Sequence, residues 1–195
     1  LAYQAAALTP ISYRLYPEAI NAAEKALALD PNDAYSYFIM AKVLNYAGKS
    51  EKATDFARRA LRLDPYYPVD YLIALGESNF ALGNLEDAVI YLEKAHAHNP
   101  QGRPNKPLLE SLIATYSHLG RNEEAGELFQ SLKKFLLPPI SLRRILNFHP
   151  YKTPEVTHRL AQGLIKAGMP EEVYYTVSND HRLDGGKISA LIFGR

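Results

Sequence analysis

Six histidines, no cysteine and a scatter of paired acids are the residues that could do chemistry in this chain of 195 residues. His96 and His98 flank Ala97 at the end of a helical pattern. Residues two apart on a helix do not face each other, so they make a poor metal pair, and a helix C-terminus favours such side chains anyway. His149 and His158 have no third ligand at metal-site spacing. Without cysteine, a disulfide scaffold and a thiolate zinc site are both excluded. Glu123-Glu124 and Glu171-Glu172 look like acid–base pairs, but each opens a helical pattern, where the helix dipole favours carboxylates. There is no serine elbow, phosphate loop or dinucleotide fingerprint, and Gly185-Gly186 is a lone pair in a turn. The expectation is a chain with no metal, no cofactor and no catalytic centre, one that acts by contact.

The notable charge cluster is Lys133, Lys134, Arg143, Arg144, Lys152 and Arg159, which brackets Pro138-Pro139. A solvated face that keeps this end soluble explains it most simply. The functional alternative is a basic docking patch for an acidic partner. Net charge is +1, with −3 over residues 1–100 and +4 over 101–195. That imbalance is too small for a nucleic-acid surface, which needs a strongly basic face. A hydrophobic content of 47% excludes a disordered chain. No run reaches the roughly 18 apolar residues of a membrane span. The opening LAYQAAALTP has no charged region ahead of its apolar part, so it is not a secretory signal, and a cytoplasmic setting is expected. The chain opens mid-pattern without an initiator methionine, as a piece of a longer protein would.

The elements that must position these residues are set by a repeat. YPEAINAAEKALALDP (residues 16–31) returns as SEKATDFARRALRLDP (50–65) and LEDAVIYLEKAHAHNP (85–100), with a weaker copy from Asn122. Pro31 to Pro65 is 34 residues and Pro65 to Pro100 is 35. Such a period marks stacked helical hairpins. Ala19, Ala53, Ala88 and Ala125 recur at one place, and Ala26, Ala60 and Ala95 recur seven residues later on the same helix face. A small residue there lets a second helix come close. Asp30-Pro31 and Asp64-Pro65 stop the helix, because proline disfavours helical geometry in the residue before it. Gly48, Gly83 and Gly120 fall in the turns between helices, where a left-handed residue is needed. In the first unit, Pro10 falls inside the leading helix and predicts a turn around Leu8–Tyr16 ahead of a helix from Pro17.

This pattern of small residue, turn glycine, two alanines seven apart and terminal proline resembles the tetratricopeptide repeat. Residues 69–100 fit best, with Leu75-Gly76, Gly83, Ala88, Ala95 and Pro100; the fourth copy keeps Tyr116, Gly120, Ala125 and Phe129 but has Leu132 for its second alanine. The resemblance implies an all-α, right-handed α-solenoid of about three and a half hairpins over residues 1–137 (1–31, 34–65, 69–100 and 106–137), closed by a C-terminal helical extension over 138–195. It also implies a protein–protein interaction scaffold that holds a peptide or helix in a concave groove lined by the leading helices. The groove positions are then Tyr35, Phe38, Lys42 and Tyr46; Asp70, Ile73, Glu77 and Phe80; and Glu110, Ala114, Ser117 and His118. Some family members clamp a peptide's terminal carboxylate with lysine, arginine and asparagine. Here Ile39, Asp70 and Ala74 stand at the comparable places, so that ligand class is not expected.

Beyond the repeats, Ile140–Phe148 predicts a short helix stopped by His149-Pro150. Thr153 predicts a cap for a helix opening on Pro154 and ending at Gly168 and Pro170, and Leu183–Phe193 predicts a last helix. PQGRPNKP (100–107) predicts a loop, a plain spacer, since Gly83 to Gly120 is 37 residues. The tail residues Tyr151-Lys152, Pro154-Glu155, Gly163-Leu164, Lys166-Ala167-Gly168, Pro170-Glu171 and Phe193-Gly194-Arg195 resemble the region after the repeats in bacterial signalling proteins with a class III adenylate/guanylate cyclase domain. That resemblance implies, as the alternative function, an accessory segment acting on a catalytic domain outside this chain.

Overall fold

The structure, a computed structural model, describes residues 2–98, 104–136 and 142–170. The expected helix over 183–193, the Glu171-Glu172 pair, Gly185-Gly186, Pro138-Pro139 and residues 100–103 of the 100–107 loop lie outside these residues. Among the described residues there are ten helices and no strand. They are α1 (Ala2–Ser12), α2 (Tyr16–Leu29), α3 (Ala34–Tyr46), α4 (Ser50–Leu63), α5 (Val69–Leu82), α6 (Leu85–Ala97), α7 (Lys106–His118), α8 (Asn122–Lys133), α9 (Leu142–Phe148) and α10 (Pro154–Lys166).

The first eight pair into four antiparallel hairpins, α1–α2 through α7–α8, each stacked on the next. The leading helices α1, α3, α5 and α7 also touch their counterparts in neighbouring hairpins, which makes them one continuous layer. The alanine pattern explains how closely the helices meet. Ala19, Ala53, Ala57, Ala60, Ala88, Ala95 and Ala125 have no exposed surface, and Ala26 is buried too. At Gly76 a Cβ would stand 2.7 Å from the Leu92 side chain, so the α5–α6 crossing requires glycine.

The turns follow the sequence. Gly48, Gly83 and Gly120 have φ of 78°, 85° and 76°, and Asp30 and Asp64 leave their helices in extended conformation. Asp33 caps α3 by accepting from the backbone N–H groups of Tyr35 and Ser36. One local expectation is corrected: α1 runs through Pro10 to Ser12. Its last turn closes on the proline's own carbonyl, which accepts from Tyr13 and Leu15 N–H, while Ala7 and Ile11 are buried. The chain then reverses at Arg14, with φ of 60°.

The core is nearly continuous. One cluster runs from Ala7 in α1 to Met169 after α10, and a second lies between α5, α6 and α7. α10 does not stack on α8 as a fifth unit would. α10 packs along α7, and the residues leading into it reach back as far as α1–α3.

Candidate functional site

Residues 149–166 lie on the leading-helix face. Before α10, the backbone N–H of Lys152 donates to the Tyr46 carbonyl at 2.8 Å, at the end of α3. The Tyr16 hydroxyl donates to the Pro150 carbonyl at 3.0 Å, and Arg14 donates to the Tyr151 carbonyl at 3.0 Å. Arg14 is thus placed by its left-handed backbone to hold a residue 137 positions away. The Tyr151 ring packs on Tyr46, centroids 5.1 Å apart, and on His149. His149 Nε2 donates to the Glu110 carboxylate at 2.8 Å, with the imidazole fully buried.

Once helical, the segment crosses α5 and α7. Arg159 donates to the carbonyls of Phe80 and Ala81 at 2.7 and 3.0 Å, at the exposed end of α5, and lies over the Phe80 ring. A cation is favoured there by the helix dipole and adds a second donor to the Phe80 carbonyl, which also accepts from the Gly83 N–H. The Arg159 carbonyl accepts from His118 Nε2 at 2.7 Å. At Gly163 the helices α10 and α7 nearly touch, since a Cβ would stand 2.6 Å from Ala114 Cα. Thr153 occupies the expected cap position but makes no side-chain cap bond; its Oγ1 faces Gly48 instead.

The groove positions read from sequence therefore divide into three groups. Tyr46, Glu77, Phe80, Glu110 and Ser117 are buried, and with half-buried His118 they lie beneath or beside the chain's own C-terminal segment. Ile73 is placed differently from the expectation: it belongs to the cluster with Leu72, Leu92 and Leu108 between hairpins, so it packs a hairpin joint. Half-buried Lys42 lies near enough to Glu77 to favour its charge, whereas Tyr35 and Asp70 remain exposed at the other end of the face. There Phe38 stacks on Tyr71 at 5.2 Å and meets Tyr35 at 5.6 Å. Burial first, then the charges of Asp64, Asp33 and Asp70, push the Tyr71 hydroxyl up to about 12. At the uncovered end the exposed side chains are Tyr35 and Asp70, with Phe38 and Tyr71 buried beneath.

The basic cluster also divides. Lys133, Lys134 and Arg143 are exposed, and so is Arg144. Lys152 lies over the Tyr16 ring, and Arg159 is turned inward onto α5, which gives it a structural task. Sequence reasoning missed Arg14, His149 and Tyr151. Their signal was weak: a histidine and a tyrosine in a proline-bounded loop read as a helix stop.

Electrostatically, the centre of the site is a buried acid. Burial raises the Glu77 carboxyl above its ordinary 4.5, against the opposing pull of His149, Lys42 and a bond from Ser111, while Glu110 adds to the rise. Burial likewise raises the Tyr46 and Tyr151 hydroxyls, with Glu77 adding to both. Among the described residues, no group of three potential metal ligands comes together, and no helix is long and apolar enough to cross a membrane. An open pocket of about 450 Å³ lies apart, between α1, α2 and α3, where the Gln4 amide donates to Asp33 and Ser36.

The arrangement of paired helices can be compared with known proteins. The chain superposes on TTC0263, a thermophilic TPR protein of Thermus thermophilus, with a TM-score of 0.60 at 21% identity, over 86% of this chain and 82% of that one. The fold is a tetratricopeptide solenoid. YrrB, described as a TPR protein with an unusual peptide-binding site, superposes with a TM-score of 0.55 at 22% identity, over 86% and 84% of the two chains. PilF of Pseudomonas aeruginosa gives 0.61 at 17%, over 86% and 75%. Residues 12–95 match the family described as anaphase-promoting complex, cyclosome, subunit 3. A small glutamine-rich tetratricopeptide repeat-containing protein 2 of Mycosarcoma maydis is 28% identical over 116 residues. Those residues are 60% of this chain and 32% of that relative, so the chain spans about a third of its length.

Within this solenoid, three residues of the C-terminal segment have packing tasks. Tyr151 packs on Tyr46, Gly163 lets α10 meet α7, and Gly168, with φ of 101°, ends the helix against Phe129.

Proposed function

We propose that the chain is a protein–protein interaction module that takes a peptide or helix along its leading-helix face. One observation carries this reading: that face already holds a segment of the chain itself, whose loop residues Tyr151 and His149 contact Tyr46 and Glu110 and whose helical Arg159 contacts Phe80. In the stretch left uncovered, exposed Tyr35 and Asp70 stand over the buried Phe38–Tyr71 pair, so the surface offers one aromatic ring beside carboxylates. Aromatic rings give contact area at low entropic cost, and carboxylates beside them favour a ligand carrying lysine or arginine.

A photo-crosslinking residue placed at Tyr35 or at Asp70 tests this in cells, against one placed at exposed Ile90 on α6. Partner proteins joined through Tyr35 or Asp70 and not through Ile90 are the expected result. Crosslinks through Ile90 alone would move the interaction off this face. The narrower alternative, contact with a nucleotide-cyclase domain outside this chain, predicts that the crosslinked partner is that domain.

A further inference from the structure

The seat of the C-terminal segment is specific in chemistry but incompletely matched. Two carboxylates, Glu77 from α5 and Glu110 from α7, converge near His149. The other charged or titratable groups facing it are Lys42 and Tyr46 from α3 and Tyr151 from its own segment. Glu77 receives only a long 3.4 Å bond from the Ser111 hydroxyl, and burial disfavours its charge. The His149 Nδ1 and the Ser117 Oγ are buried with no hydrogen-bond partner. A buried polar atom without a partner costs free energy that a better-matched occupant recovers. The segment fits the backbone of the seat closely at Gly163 and Arg159, yet it answers two acids with one imidazole.

We propose that residues 149–166 are an intramolecular stand-in for a partner helix, which enters the same seat by displacing them. This rests on the interaction-module reading and names the ligand's chemistry. The partner carries a permanent cation where His149 sits and an aromatic residue two positions later, at the place of Tyr151. An amphipathic helix follows, with arginine at the place of Arg159 and a small residue four positions on, at the place of Gly163. The cation is complementary to Glu77 and Glu110, and the small residue is required by the Ala114 contact. The exposed end of the face, at Tyr35 and Asp70, is a separate contact, so the two ideas can fail separately.

Two measurements on the full chain test it. In the unliganded protein, native-state hydrogen exchange reports whether α10 opens alone. Amides of Leu160 and Leu164 are expected to exchange at least ten-fold faster than those of Leu75 and Phe80 in α5. A synthetic peptide with the sequence 148–169 carrying His149→Lys is then titrated into isotope-labelled protein at pH 8. It is expected to bind at least ten-fold tighter than the native-sequence peptide and to speed α10 exchange further. The same peptide carrying Gly163→Leu as well is expected not to bind. The proposal is overturned if α10 and α5 amides exchange together, if the lysine peptide does not bind or binds no tighter than the native sequence, or if Gly163→Leu leaves binding unchanged. Crosslinking at Tyr35 or Asp70 would survive such a failure.

Discussion

Gly163→Ala isolates the contact that seats α10. A Cβ at this position would lie 2.6 Å from Ala114 Cα, 2.7 Å from its Cβ and 2.8 Å from its carbonyl oxygen. All three atoms belong to the body of α7 and cannot swing aside as a long side chain would. α10 must therefore lift by about an ångström, at the typical overpacking cost of about 1–3 kcal/mol. Opposing this, alanine is a better helix former than glycine by about 1 kcal/mol. Gly126 supplies the control: it lies within α8, and a Cβ there would meet nothing within 4 Å. Both substitutions carry the same propensity gain, so their difference is the cost of the α7–α10 contact alone. Gly126→Ala should stabilise by about 0.5–1 kcal/mol. Gly163→Ala should fall below it by about 1–3 kcal/mol. For a chain of this size that separates the two melting temperatures by roughly 2–12 °C. Urea denaturation followed by circular dichroism measures the gap, and equal shifts for the two variants would refute the contact as described.

Three further outcomes are expected. Glu77 has a folded-state pKa raised above 4.5, so its favourable contribution is complete at pH below that value and is lost as pH rises through the raised one. Glu77→Gln should accordingly be more stable than the parent at pH 8, with the difference closing toward pH 4; a variant less stable than the parent at pH 8 contradicts this. His149→Ala leaves Glu110 buried without its partner, at a cost of about 3–5 kcal/mol. Adding Glu110→Ala should recover about 1 kcal/mol or more in a double-mutant cycle, and strict additivity would show that the pair does not couple. Ala88→Leu or Ala95→Leu, each at a site with no exposed surface, should cost about 1–3 kcal/mol. Chemical denaturation of both within error of the parent would place the α5–α6 register elsewhere.

The hairpins were legible because a 34-residue period compares the sequence with itself. A small residue at Ala53 means little alone, but the same residue at Ala19, Ala88 and Ala125 reports one repeated contact. The same logic located Gly48, Gly83 and Gly120, whose φ values all lie near +80°. Pro10 misled because the sequence shows the hydrogen bond a proline removes but not the carbonyl it still offers to Tyr13 and Leu15.

The seat on the leading-helix face has no period to reveal it. Its contacts join residues far apart in sequence, such as Arg14 with Tyr151 and Phe80 with Arg159, and each occurs once. One trace was present in Glu77, an acid on a helix that the structure buries at every position from Tyr71 to Phe80. Helices of neighbouring hairpins cover two sides of such a helix; burial of Glu77, Ser78 and Asn79 as well requires a third covering element. Ser78 and Asn79 satisfy their side chains on the carbonyls of Ala74 and Leu75 in their own helix. Glu77 has no such local partner, and a carboxylate is rarely buried unless something answers it. A leading helix that keeps an acid between apolar neighbours thus signals an occupied groove, and the occupant must bring a donor. His149 is that donor for the paired Glu110, which is why the segment sits where a ligand was expected.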